Sequence, residues 1–254
     1  MPRLMQTSVD VNSVVLPAGN SGYRFSAIRP DRLGATEYTL ATIVLDYTGS
    51  TSGFASELEQ MLKTMLESCR MNPRANNMLV RTLIFSTCFQ GGTEELHGFK
   101  PLADIDLSAY SLPYPSGGTP LVDATYDAAA ATNAFGKTLF DQDYAVNSII
   151  FVITDGGDNS SSTPPSKVKK LFREAVDREY LESNLSILVG LNTKWYQAVL
   201  DDFKLKAGFD HYIDVADATP SAIAKLGGFI SQSISSQSQA LGTGGPSQNI
   251  SAVI

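Results

Sequence analysis

Five short apolar runs rich in β-branched residues recur along the chain: Ala41–Leu45, Leu79–Thr87, Ser148–Thr154, Leu185–Leu191 and Tyr212–Val215. Most are continuous rather than alternating, the pattern of strands in a parallel sheet whose two faces are both covered by helices. Segments with helical period lie between them. Leu58, Met61, Leu62, Met65, Leu66 and Cys69 follow the i, i+3, i+4, i+7 rule. Val168, Leu171, Phe172, Ala175, Val176 and Tyr180 do so again, after Pro164-Pro165-Ser166, which suits a helix entry. Trp195, Val199 and Phe203 give a third stripe, and Ile223, Leu226 and Ile230 a fourth. Strand and helix in alternation predict an α/β domain: a doubly wound, mostly parallel open sheet with helices on both faces and right-handed crossovers. With 254 residues, such a domain needs no disulfide or metal to hold its core.

Two pieces fall outside this rhythm. Residues 1–37 carry a strand signal around Tyr23–Ile28 and turn signals at Gly19–Gly22, which reads as an N-terminal arm or extra edge element. The domain proper is expected over 38–236. From Ser231 the chain turns Ser- and Gln-rich and then passes through Gly242-Thr243-Gly244-Gly245-Pro246, so 237–254 reads as a mobile tail. Those glycines are no phosphate loop, because no Lys-Ser/Thr pair follows them before a helix.

Charge and composition remove further classes. A net charge of −7, from 26 acidic against 19 basic residues, argues against a nucleic-acid partner. Cys69, Cys88, His97 and His211 are the whole supply of cysteine and histidine, and no zinc site or disulfide framework can be written from them. Apolar runs are strand-sized, so no membrane span is expected. Met1 to Asn20 shows no basic start followed by an apolar run, which favours a cytoplasmic location.

In an open α/β sheet, ligands bind beyond the carboxyl ends of the strands. The first strand is followed by Asp46-Tyr47-Thr48-Gly49-Ser50, a carboxylate and then two hydroxyls at alternating positions. The run at 148–154 is followed by Asp155-Gly156-Gly157-Asp158-Asn159. Between them, Ser116-Gly117-Gly118-Thr119-Pro120-Leu121 sets a third hydroxyl on a glycine turn before the Leu121–Phe135 helix. Three segments thus deliver only oxygen donors to one sheet edge, a set that suits a hard cation such as Mg²⁺ or Mn²⁺. Each piece also has a plainer reading: Thr119 as a helix N-cap with Pro120 at the first helical position, Asp155 as a cap, and Asp-x-Thr-x-Ser as a strand-to-helix turn.

Asp46-x-Thr48-x-Ser50, Gly-Gly-Thr119-Pro and Ile-Thr-Asp155-Gly, in that order, resemble the metal-ion-dependent adhesion site of von Willebrand factor A domains, over about residues 38–236. The resemblance implies that Thr48 and Ser50 coordinate the ion directly, Thr119 directly in a high-affinity state, and Asp46 and Asp155 largely through water. Thr48 stands where the family usually has Ser and keeps the hydroxyl. Gly-Gly-Thr-Pro-Leu and the stretch after Phe229 look most like bacterial cytoplasmic members of the tellurite-resistance-associated TerY type. The resemblance further implies a non-enzymatic protein-binding module. Its partner would present an Asp or Glu to the ion, in an assembly linked to an AAA-type ATPase or a stress response.

Other residues carry lesser readings. Phe99–Gly118 reads as a long ordered loop whose Tyr110 and Tyr114, with Tyr47, either contact a partner or pack on the sheet. Lys167, Lys169, Lys170 and Arg173 form a basic cluster, either a solvated helix face or a contact for an acidic partner. Trp195 reads as core, and Asp158 as a group that tunes the site's charge. Two alternatives stay open. One is a Mg²⁺-dependent phosphatase of the haloacid-dehalogenase type, with Asp46 as nucleophile and Asp155 and Asp158 on the metal, although Thr48 stands where a second carboxylate is expected. The other is a structural assembly subunit with a non-functional metal site.

Overall fold

A computed structural model describes residues 12–18 and 22–244 of the chain. The strands are β1 (Ser13–Pro17), β2 (Arg24–Ile28), β3 (Glu37–Asp46), β4 (Met78–Phe85), β5 (Thr93–Pro101), β6 (Ala145–Thr154), β7 (Ser183–Leu191) and β8 (His211–Val215). The α-helices are α1 (Ala55–Arg70), α2 (Leu121–Phe140), α3 (Pro165–Asp177), α4 (Gln197–Ala207) and α5 (Pro220–Gly242). All five apolar runs are strands of an eight-stranded sheet with order β1-β2-β5-β4-β3-β6-β7-β8. The centre is parallel, and antiparallel pairing occurs where β5 meets β4 and β1 meets β2. This is the mostly parallel, doubly wound α/β architecture.

The continuous apolar character of β3 follows from its two covers. Ala41, Ile43 and Leu45 belong to a core with Leu58, Met61, Leu62 and Met65 of α1 and Ile223, Leu226 and Ile230 of α5. Val44 belongs to the opposite core, with Leu121 and Ala128 of α2, Val168 and Phe172 of α3, and Leu200 and Phe203 of α4. Thr42, on the same side, shares a 2.8 Å hydroxyl contact with Thr132 of α2. From β3 the chain winds outward through β4; after α2 it returns to β6 on the other side of β3. The switch point of the sheet therefore lies between the ends of β3 and β6, where a crevice opens in folds of this kind.

The N-terminal arm forms the sheet edge. β2 pairs with β5, and Phe25 of β2 sets its ring 6.1 Å from Phe99 and 6.4 Å from Phe135. Residues 19–21 of the expected turn lie outside the described residues.

β5 escapes an apolar-run reading because Glu94, Glu95, His97, Gly98 and Lys100 interrupt it. It forms because the buried carboxylate among them, Glu95, is answered inside the fold. Arg81 of β4 is fully buried, and its Nε donates to Glu95 Oε1 at 2.8 Å. Its Nη2 donates to the Tyr23 hydroxyl, and its guanidinium lies 5.6–6.0 Å from the ring centroids of Tyr23, Phe25 and Phe99. Glu95 Oε2 accepts from the amide and the hydroxyl of Ser26 in β2, at 3.0 and 3.1 Å. One ion pair thus fastens β4, β5 and β2 together.

Three readings are corrected. The stretch from Ser231 continues α5 to Gly242, past the expected start of the tail at 237. Ser231, Ser233, Ile234, Gln237, Ser238 and Ala240 are buried, and Asn147 of β6 donates to the Gln237 carbonyl at 2.8 Å. Residues 245–254 lie outside the described residues. In the third helical stripe only Phe203 points inward; Trp195 precedes α4 and, with Val199, faces solvent. Val176 of α3 also faces outward.

Candidate metal centre

Asp46 ends β3 and Thr154 ends β6, on the two strands that flank the switch point. The Tyr47 amide donates to the Phe85 carbonyl at 3.1 Å, which holds the chain in line with β4 for one more residue. The Thr48 amide then donates to Asp46 Oδ1 at 3.1 Å, a side-chain-closed turn of the kind aspartate favours. That turn lifts Gly49 and Ser50 into a 3-10 helix over Gly49–Phe54 leading into α1. Thr48 flanks this helix without a side-chain capping bond, so its hydroxyl is free to face Ser50, 3.1 Å away.

The second loop is stitched to the end of β4. Thr87 donates its amide to the Gly118 carbonyl at 3.1 Å and accepts from the Gly118 amide on Oγ1 at 2.8 Å. Gly117 adopts φ +81°, and a Cβ there would lie 2.6 Å from Ser86 Oγ, so only glycine fits. Its carbonyl accepts from the Gly49 amide at 3.3 Å, which joins the second loop to the first. α2 starts at Leu121 with Pro120 as its flanking residue, so Thr119 is not the N-cap its sequence suggests. Its hydroxyl makes no hydrogen bond among the described residues.

The third loop closes the ring. Ser50 Oγ donates to Asp155 Oδ1 at 2.8 Å, and Thr154 Oγ1 donates to Asp46 Oδ2 at 2.6 Å. The Thr119 amide donates to Asn159 Oδ1 at 2.8 Å, while the Asn159 amide donates to the Thr119 carbonyl at 3.1 Å. α3 begins ten residues after Asp155, which therefore caps no helix. All five sequence-predicted residues, Asp46, Thr48, Ser50, Thr119 and Asp155, thus lie on three loops bonded pairwise at one sheet edge. They differ in depth: Asp46, Thr48, Thr119 and Asp155 are buried, and Ser50 stands at the exposed rim.

The two carboxylates define the electrostatics. Burial, and then the negative charge of Asp155, push the Asp46 carboxyl up to about 7, while hydrogen bonds from Thr154 and Thr48 pull the other way. Burial raises Asp155 as well, against the bond from Ser50. Neither pairs with a Lys, Arg or His among the described residues. Two carboxylates brought together in a dry place without a basic partner fit a divalent cation, and the surrounding donors are all oxygen. Among the described residues, no group of three or more His, Cys, Asp or Glu is arranged to hold a metal, so a cation here would rely on hydroxyls as much as on carboxylates.

Asp158 is turned away from this seat. Its Oδ1 accepts from the Val122 amide at 3.3 Å and from the Ser161 hydroxyl, and Ser161 Oγ accepts from the Asp123 amide at 3.0 Å. Asp123 in turn accepts from the amides of Ser162 and Thr163, both at 2.9 Å. Asp158 and Asp123 therefore clamp the third loop to the start of α2. Asp46 is 1% exposed and has both oxygens bonded, which suits a buried anchor and not an attacking nucleophile. Tyr47 and Tyr110 are core residues, and Tyr114 alone of the three tyrosines is exposed. Sequence reasoning missed Thr154 and Asn159. Thr154 is detectable as a hydroxyl beside a strand-end carboxylate, whereas Asn159 owes its role to a loop forty residues away in sequence.

No family model matches this sequence, and no curated protein matches it either. Solved structures do match in fold. The pilus adhesin SpaC from Lactobacillus rhamnosus GG, in an open conformation, aligns with 80% of this chain at TM-score 0.57 and 15% identity, over 30% of its own length. Proximal thread matrix protein 1 from the mussel byssus aligns with 78% at TM-score 0.54 and 16% identity, over 48% of its length. A further structure of that mussel protein, with a zinc-occupied MIDAS motif, aligns with 80% at TM-score 0.50 and 15% identity. The chain thus spans less than half the length of each of these proteins. Together with the strand order, these neighbours identify the architecture as the von Willebrand factor A fold.

Proposed function

We propose that the chain is a non-enzymatic, divalent-cation-dependent protein–protein interaction module whose site captures an Asp or Glu side chain of a partner. The observation that carries this reading is the contact of Ser50 with Asp155 above a buried Asp46, which brings hydroxyl and carboxylate oxygens of the first and third loops together at the switch of the sheet, with the loop that carries Thr119 bonded to both. Thr48, Ser50 and Thr119 would hold the ion through hydroxyls, with Asp46 and Asp155 supplying charge from beneath. A cation held mainly by neutral oxygens remains electrophilic and attracts an outside carboxylate, which gains a charge-assisted contact in a partly dried site. The donor set favours Mg²⁺ or Mn²⁺, and the zinc-occupied MIDAS motif of the mussel protein supports a divalent cation at this place in the fold.

In our reading the protein works in the cytoplasm as a TerY-type member, beside an AAA-type ATPase or within a stress-response assembly. The resemblance of Gly117-Gly118-Thr119-Pro120-Leu121 supports that placement, and no helix among the described residues is long and apolar enough to cross a membrane.

Thermal unfolding in EDTA and with Mg²⁺ or Mn²⁺, on wild type and Asp155→Ala, tests the reading. An ion at a hundred times its Kd adds about 2.7 kcal/mol, or roughly 5–10 °C for a domain of this size. A rise in wild type that Asp155→Ala abolishes is the expected result. No rise with either ion overturns the reading.

A further inference from the structure

The rim of the site carries a feature that cation chemistry does not use. Between β7 and α4 the chain makes a tight turn. Asn192 takes φ +52° and donates its amide to the Val215 carbonyl at 2.9 Å. Thr193 is buried, its hydroxyl donates to Asp214, and its carbonyl accepts from the amides of Tyr196 at 2.7 Å and Gln197 at 2.9 Å. On this fixed turn Trp195 is 84% exposed and Tyr196 45%; in the first turn of α4, Val199 is 49% exposed. Single exposed apolar residues are ordinary, but a cluster of three large ones marks a contact surface.

The cluster borders the metal loop. A Cβ on Gly157 would lie 2.9 Å from Val199 Cγ1 and 3.6 Å from Tyr196 Cδ1, and one on Gly156 would lie 4.0 Å from Tyr196 Cε2. The apolar ridge therefore begins within two residues of Asp155. Its charge is suited to an acidic visitor: Lys194 Nζ lies 6.0 Å from the Trp195 ring centroid and joins no ion pair among the described residues.

We infer that this ridge is the second half of the binding surface, and that the partner is an extended acidic protein segment. Its Asp or Glu enters the cation site, and a large apolar or aromatic side chain beside that residue lies on Trp195, Tyr196 and Val199. The inference rests on the carboxylate-capture reading above and adds what that reading lacks. Surface carboxylates are common to nearly all proteins, so an ion alone selects none of them. A rigid aromatic anchor next to the ion supplies discrimination, because buried aromatic contacts dominate interface energies. An extended segment advances about 3.3 Å per residue, which places the apolar side chain within a few residues of the acid.

The test is a selection of random phage-displayed peptides on wild type in Mn²⁺ with elution by EDTA, followed by titration of the synthesised peptides. Trp195 is the single tryptophan, so its emission reports the ridge directly. Enriched peptides should pair Asp or Glu with a neighbouring large apolar residue and shift Trp195 emission to the blue. They should bind Trp195→Ser/Val199→Ser at least about tenfold more weakly, while that variant keeps wild-type Mn²⁺ affinity. Acidic peptides with no apolar neighbour, or with equal affinity for the variant, overturn the ridge but leave carboxylate capture standing. An absence of EDTA-eluted enrichment overturns both. Self-association of wild type without peptide, abolished in the variant, assigns the ridge to a second copy and overturns the inference.

Discussion

Thr119 and Asn159 are joined by two hydrogen bonds that run in opposite directions, one from the Thr119 amide to Asn159 Oδ1 at 2.8 Å and one from the Asn159 amide to the Thr119 carbonyl at 3.1 Å. The pair fixes the backbone on both sides of the Thr119 hydroxyl without using that hydroxyl. Residues that orient a ligand from behind typically change metal affinity about 10–100-fold when removed. Asn159→Ala should therefore weaken Mn²⁺ binding by that factor in calorimetric titration, while unfolding in EDTA loses only about 1 kcal/mol, the net worth of one hydrogen bond.

Gly117→Ala attacks the same hydroxyl from the other side. The added methyl meets Ser86 Oγ at 2.6 Å and both Thr87 Oγ1 and Cys88 Sγ at 2.8 Å, on a backbone with φ +81°. The strain should destabilise the protein by about 1–3 kcal/mol in urea unfolding. Because the turn must shift, Mn²⁺ affinity should fall as well, and stabilising osmolytes that restore the melting temperature should not restore affinity.

Arg81→Met removes one member of a buried ion pair and leaves Glu95 without its counter-charge. Loss of one partner from such a pair costs about 3–5 kcal/mol, whereas replacing both by groups of similar volume costs far less. Urea unfolding should show that loss for Arg81→Met and recovery of much of it in Arg81→Met/Glu95→Gln.

His97 gives the protein an acid-sensitive edge. Its ring is buried, with Nδ1 3.0 Å from the Gly98 carbonyl, and burial holds its pKa down to about 3, with Lys100 and Arg81 pushing the same way. Above pH 6.5 the ring is neutral in both folded and unfolded chains and contributes nothing to pH dependence. Between 6.5 and 3 the unfolded chain binds a proton that the folded one refuses, so stability falls by about 1.4 kcal/mol per pH unit. Unfolding free energies of wild type measured against His97→Gln should show that slope, and parallel curves would refute it.

The parts of the fold that were readable share one property: their residues obey a periodicity that packing also obeys. β3 and β6 are buried along nearly their whole length because helices cover both sides, and α1 places Leu58, Met61, Leu62, Met65, Leu66 and Cys69 inward as their spacing requires. β5 was hidden because its buried carboxylate, Glu95, is neutralised by Arg81, a partner that only the folded sheet brings near. Trp195 misled in the opposite sense, since helical spacing says which residues share a face and not whether that face is inside. The Ser-rich end of α5 was unreadable because small polar side chains at close packing look like those of a loop. In the site, Asp46, Thr48, Ser50, Thr119 and Asp155 were legible as oxygen donors past strand ends. Asn159 was not, because its partner is set by how the loops meet.

The bonds that close the ring of loops join distant parts of the chain: Ser50 and Asp155 are 105 residues apart, Asp46 and Thr154 are 108. No nascent fragment that stops short of Asp155 has them. A slip of β6 by one residue against β3 would turn every side chain of that strand to the opposite face, so the pairing of Thr154 with Asp46 exists in a single register. Under the proposed function, competence to bind would in this way be a gauge of integrity: a partner that needs the assembled ring would engage only molecules whose central strands have already found each other, and would pass over truncated or misthreaded copies without any separate proofreading step.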